Sequence, residues 1–158
     1  MQKHHLLKRI WQYFNAPFIF LIPLGDLIIR LWVARVFLLA GLSKCQSWTS
    51  TLYLFDNEYS VPFLSSTIAA PLAAGVEIIG SICLALGVFG RVPAFMLFIF
   101  NFFAVMCYPY LWTAQGYVGF KDHVAWGLML MVIMLHGPGK LSLDYLFSWI
   151  LKRFDYKF

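Results

Sequence analysis

Four long apolar runs dominate the chain, each ended by a charge, a proline or a glycine. A bilayer core about 30 Å thick takes ~20 apolar residues of helix. The runs from Asp26 to Ser43, Ile68 to Phe89, Val92 to Tyr108 and Val124 to His136 are therefore read as spans. The last is short and can begin inside the loop before it. Gly90-Arg91-Val92-Pro93 is a tight turn that sets the second and third runs antiparallel. After Gly137-Pro138-Gly139 the pattern changes. Leu143, Leu146, Phe147, Ile150, Leu151 and Phe154 share one helical face, while Lys140, Ser148, Lys152, Asp155 and Lys157 fall mostly off it. That is an amphipathic helix lying on a membrane surface.

Ahead of the first run, Lys3, Lys8 and Arg9 lead into an apolar stretch from Phe18 to Leu24. It resembles a signal peptide, but Pro23, Gly25 and Asp26 interrupt it and no small-x-small cleavage site follows. It is read as a retained interfacial segment carrying Trp11, Tyr13 and Phe14. The predicted fold is all-α: an integral membrane four-helix bundle with an amphipathic C-terminal interfacial helix. Residues 1–25 form the basic and aromatic interfacial segment, 26–139 the four spans and 140–158 the surface helix. The loop 45–67 mixes Trp48, Tyr53, Phe55, Tyr59 and Phe63 with Asp56 and Glu58, and is expected to cap the outer end.

Composition agrees. Hydrophobic residues make up 61% and charged ones 12% of the 158 residues, with mean hydropathy +0.76. Soluble domains carry about 25% charge, so most of this surface must face lipid. The net charge of +5 does not point to nucleic acid, because Lys and Arg gather at the ends of apolar runs, where they meet lipid headgroups. With the N-terminus inside, eight basic residues (Lys3, Lys8, Arg9, Arg91, Lys140, Lys152, Arg153 and Lys157) face the cytoplasm and two (Lys44 and Lys121) face out. This bias predicts a multi-pass membrane protein with both termini cytoplasmic; in a bacterium, the membrane would be the inner one and the outer face periplasmic.

Ionisable groups inside a span normally face the bundle and find a partner. Arg35, Glu77 and Asn101 each stand nine residues from one end of their runs, roughly 13 Å deep by helical rise. They are expected to meet near the midplane, with Arg35 and Glu77 as an ion pair. That core is either a ligand or proton site or a structural pair holding helices together. Asp26 and Arg30, at i,i+4, are expected to pair at the surface. A second cluster at the outer end holds Lys44, Tyr108, Trp112, Asp122, His123 and Trp126. Its imidazole and rings suit a quinone; the plainer reading is an aromatic belt with a snorkelling lysine, because Trp and Tyr are enriched at every membrane interface. Cys45 and Cys107 both fall at outer helix ends and either bridge or serve as small apolar fillers, whereas Cys83 lies in the inner third. No metal site is expected: His4 and His5 are too few, and His136 reads as a cap. There is no Gly-rich phosphate loop, HExxH, nucleophile elbow or paired-His haem pattern.

RVFLLAGLSK (Arg35 to Lys44), FDNEYSVPFL (Phe55 to Leu64), the Glu77 helix ending LGVFGR at Arg91, Tyr108-Pro109 and GPGKLSLD (Gly137 to Asp144) stand in an order and spacing that resemble the DoxX family of small four-helix bacterial membrane proteins. The resemblance runs from about Arg35 to Leu146. Members of that family include the membrane subunit of a thiosulfate:quinone oxidoreductase and parts of membrane oxidoreductase assemblies handling thiols or oxidative stress, so the resemblance implies a role of that kind. Relatives with such a loop are often encoded beside metal-handling peptide systems. The family's charged pattern carries onto Arg35, Lys44, Glu58, Glu77 and His123. The expected function is a redox-linked membrane subunit binding a quinone near Lys44, Tyr108, Trp112, His123 and Trp126, with another membrane or periplasmic subunit bearing the substrate site. The alternative is a non-enzymatic accessory or transport-related protein. A homo-oligomer is compatible with either.

Overall fold

The computed structural model describes residues 2–155, with side chains for 18–153. The side chains of Trp11, Tyr13, Phe14 and Phe154, expected at an interface, lie outside the described residues. The described chain is all helix: α1 (Gln2–Gln46), α2 (Trp48–Asn57), α3 (Ser66–Leu86), α4 (Val92–Cys107), a 3-10 turn (Pro109–Trp112), α5 (Tyr117–His136) and α6 (Leu143–Asp155). α1 packs on α3, α3 on α4, α4 on α5, and α5 back on α1. α3 and α5 are each long and apolar enough to cross a membrane. α4 is equally apolar but has 16 residues, about 24 Å of helical rise.

Three boundaries differ from expectation. The helix expected to begin near Asp26 is continuous from Gln2, through Pro23 and Gly25. Each of its two prolines, Pro17 and Pro23, forfeits one i→i−4 bond, which a 45-residue helix absorbs in its flanking turns. The helix expected from Val124 begins at Tyr117, because the Gly116 carbonyl accepts the Phe120 N–H (3.1 Å) and starts the ladder before the Lys121-Asp122-His123 charges. The capping loop contains α2, whose Trp48, Thr51, Leu52 and Phe55 repeat at helical spacing.

Small residues let the helices approach. The buried face of α3 is Ala69, Ala70, Ala73, Ala74, Glu77, Gly80, Ser81 and Leu84. A Cβ on Gly41 of α1 would lie 2.7 Å from Ile78 Cγ1 and 3.0 Å from Glu77 Cβ, and one on Gly80 would lie 3.1 Å from Leu97. Close crossings over Gly and Ala, with van der Waals packing as the main attraction, are how helices associate in lipid. Val33, Ala34, Phe37, Leu84, Ala94, Leu97, Leu130 and Ile133 form the core. Large apolar side chains such as Phe20, Trp32, Phe95, Phe102, Val118 and Leu135 point outward instead.

The end that carries Arg91 is organised by Arg30. It lies on the stripe Arg30, Val33, Ala34, Phe37 and is 2% exposed. Its guanidinium donates to the Pro138 carbonyl and to the Leu141 carbonyl (2.5 Å). This corrects the expected Asp26–Arg30 surface pair. Arg30 points into the core, toward carbonyls freed by the Gly137 and Gly139 turns, while Asp26 faces His136 (3.6 Å). Gly87 ends α3 in the left-handed region (φ 67°), donating to the Cys83 and Leu84 carbonyls. Its own carbonyl accepts the Asp144 N–H (3.2 Å), and the Asp144 carboxylate accepts the Gly90 N–H. Ser142 caps α6 by accepting the Tyr145 N–H (3.2 Å).

A Cβ at Gly87 would meet Ser142 Cβ at 2.5 Å and Arg30 Nη1 at 2.6 Å. Gly87→Ala should therefore destabilise the protein by about 1–3 kcal/mol through backbone strain alone, with the overlap adding to it. Gly25→Ala, with open space around it, should be neutral or slightly stabilising. Thermal melting in detergent compares the two, and equal melting temperatures would refute this packing.

Candidate functional site

The stripe that buries Arg30 and Phe37 continues along α1 through Gly41 to Lys44. Because Gly41 sits against Glu77, Lys44 stands one turn beyond the carboxylate and reaches back to it. Its ammonium lies 2.7 Å from both Glu77 oxygens. Glu77 is 4% exposed. The expected Arg35–Glu77 pair is thus incorrect. Arg35 is six residues, about 9 Å, short of the Gly41 crossing and points outward, off the buried stripe. Counting depth from the run ends set the two helices in the wrong register.

Asn101 is buried, but it does not join Glu77. Its Nδ2 donates to the His123 carbonyl (2.9 Å), and its Oδ1 lies 2.8 Å from His123 Nδ1. The amide thus ties α4 to α5. The His123 ring packs on Trp126 (4.7 Å between centroids), and Trp126 packs on Phe37 (6.1 Å). His123 remains within electrostatic reach of Lys44.

The cluster expected at this end is divided. His123 and Trp126 turn inward. Trp112 turns outward, 61% exposed, with its indole donating to the Val105 carbonyl (3.0 Å) and its ring against Phe120. Asp122 is exposed. Tyr108 joins a chain of edge-on rings, Phe55 to Tyr59 and Tyr59 to Tyr108, both at 4.8 Å. Its hydroxyl donates to Glu58 (3.2 Å). Burial first, then the nearby Tyr108, Glu58 and Glu77, push the Tyr59 hydroxyl up to about 12.

Between α1 and α2 lies a cavity of about 190 Å³, bordered by Lys44, Ser47, Ser50, Thr51, Phe55 and Tyr59. The Thr51 hydroxyl donates to the Lys44 carbonyl (3.0 Å), fixing α2 over the end of α1. Ser47, Ser50, Thr51 and Tyr59 were not among the expected site residues. Their signal was the 3–4-residue spacing of small hydroxyls and aromatics through the loop. All three cysteines are free, so the Cys45–Cys107 bridge is not formed; Cys45 faces the surface. Among the described residues no three His, Cys, Asp or Glu side chains gather as metal ligands.

Two predictions follow from this geometry. Lys44→Met or Glu77→Leu alone leaves its partner as an uncompensated buried charge and should cost about 3 kcal/mol. The double variant should cost less than the sum, and Arg35→Ala should leave stability near the parent's. Melting of the four variants gives the coupling, and strict additivity would dissolve the pair. The second concerns pH. Folding resists deprotonation of Tyr59, so its contribution is complete below about 10 and is lost as pH rises toward about 12. Tyr59→Phe should flatten the fall in melting temperature across that window. A variant as steep as the parent would refute the assignment.

The DoxX family model matches residues 25–112, more than half of the chain. The match begins before Arg35 and contains Lys44, α2, Glu77, Asn101, Tyr108 and Trp112. It ends ahead of His123, Trp126 and the GPGKLSLD segment, short of the extent that the sequence patterns suggested. No curated protein and no solved structure matches the chain. A match of this length, over the two closely crossed helices and the helix that covers their end, places the chain in the DoxX family of membrane proteins.

Proposed function

We propose that the chain is a four-helix integral protein of a bacterial inner membrane, with both termini cytoplasmic, and that it is the membrane subunit of a redox-linked assembly that docks a quinone head group beside Lys44. The large apolar side chains turned outward, the small-residue crossings and the uneven placement of Lys and Arg support the membrane reading. The observation that carries the quinone reading is the cavity at Lys44. Its 190 Å³ falls below the ~300–1,000 Å³ of typical ligand clefts. It is suited to a single ring, with an isoprenoid tail left in lipid.

The donor set fits such a ring. The Lys44 ammonium and the Tyr59 hydroxyl, which has no hydrogen bond among the described residues, are the groups that would hold carbonyl oxygens, with Phe55 as an apolar wall. A bound quinone would supply two-electron, two-proton acceptance. Glu77 positions the Lys44 ammonium through both carboxylate oxygens, and Tyr59 stays protonated at neutral pH. The electrons come from a partner subunit that oxidises the substrate. A second reading, a non-enzymatic accessory protein, draws on one observation: Lys44 with Glu77, and Asn101 with His123, satisfy each other, as a purely structural core would.

A photoactivatable quinone added to the protein in mild detergent tests the choice. Labelling should fall within residues 43–59, be competed by unlabelled quinone and drop several-fold in Ser47→Leu and Tyr59→Phe. Mass spectrometry of the purified protein should also find a co-purified quinone. Uncompeted labelling spread over the outward faces, with no quinone retained, would leave the accessory reading.

A further inference from the structure

At the Arg91 end a second cavity, about 440 Å³, opens between α1, the end of α3 and the start of α6. Arg30, Lys140 and Ser142 line its polar side, and Leu27, Leu86 and Leu146 line its apolar side. Arg30 is 2% exposed, and its Nε is buried without a hydrogen-bond partner. Among the described residues no carboxylate forms an ion pair with it. Asp26, one turn away, faces His136, and the Asp144 carboxylate accepts the Gly90 N–H. Taking an ion out of water carries a large penalty, and two neutral carbonyls return only part of it. Lys140 adds a second cation at the rim. The cleft thus combines two cations, Arg30 within electrostatic reach of Asp26 but in no ion pair with it and Lys140 at the rim, with a leucine wall, beside an amphipathic helix that lies along the same end.

We propose that this cleft seats an anionic phospholipid of the cytoplasmic leaflet, its phosphate beside Lys140 and Arg30 and one acyl chain along Leu27, Leu86 and Leu146. A free phosphate would answer the charge and leave the leucines uncovered. A zwitterionic lipid would cover the leucines but bring its own ammonium to a cationic cleft. The inference rests on the membrane reading and is independent of the quinone.

The full chain in mild detergent, mixed with phosphatidylglycerol, phosphatidylcholine or inorganic phosphate, gives the test by native mass spectrometry and melting temperature. Phosphatidylglycerol should be retained and raise the melting temperature; the other two should do neither. Lys140→Gln should weaken phosphatidylglycerol binding about five-fold, the weight of one basic residue near an anionic surface. Lys140→Arg should restore it, and Lys121→Gln, at the opposite end, should leave it unchanged. Equal retention of the two lipids, the same stabilisation by phosphate alone, or an unaltered Lys140→Gln would overturn the lipid seat. Absence of the chain from the membrane fraction would overturn the membrane reading beneath it.

Discussion

The approach of α1 and α3 at Gly41 sets the register of the rest. With no Cβ there, the α1 backbone comes against Glu77 and Ile78, and this aligns Lys44 with the only carboxylate on α3. Lys44 also anchors α2 through its carbonyl, so one crossing point fixes the ion pair, the cover over it and the cavity between them. A buried pair of this kind adds little net stability, because desolvation offsets its attraction. Its effect is on specificity: a slip of one turn in either helix would strand a charge in an apolar interior.

The opposite end is built on a different principle. Arg30 is held by main-chain carbonyls of a glycine-proline turn and not by a carboxylate. The turn can present them because Gly137 and Gly139 adopt positive φ, where other residues would be strained. Gly87 leaves room for the guanidinium and for Ser142 together. Glycines from two distant stretches of the chain, Gly87 and the Gly137–Gly139 turn, thus serve one cation.

Apolar period and its glycine and proline breaks made the helices legible, down to the Gly90 turn and the amphipathic α6. They left α2 hidden, because a ten-residue helix of mixed aromatics and hydroxyls looks like an interfacial loop. Glu77 and Asn101 were recognisable as buried polar groups, since hydrocarbon tolerates few such residues. Their partners were not. Pairing depends on rotation about the helix axis as well as depth, and only the depth was counted. The rotation was present in the chain: Arg30, Val33, Ala34, Phe37, Gly41 and Lys44 recur at 3–4-residue steps, and Arg35 stands off that line. The cavity at Lys44 could not be read, because it exists only once α2 is folded over α1.

The clamp at Arg30 also bears on the order in which the chain is made. Its acceptors at Pro138 and Leu141 are 108 and 111 residues away. In a chain that enters the membrane as proposed, α1 would leave the ribosome long before they are synthesised. Through that interval the guanidinium would stay in water or at lipid headgroups, and α1 would reach its final depth only when the last turn arrives. A protein truncated before Leu141 would therefore leave the Arg30 guanidinium without its acceptors on the first helix, a mark by which quality control could tell an unfinished chain from a complete one.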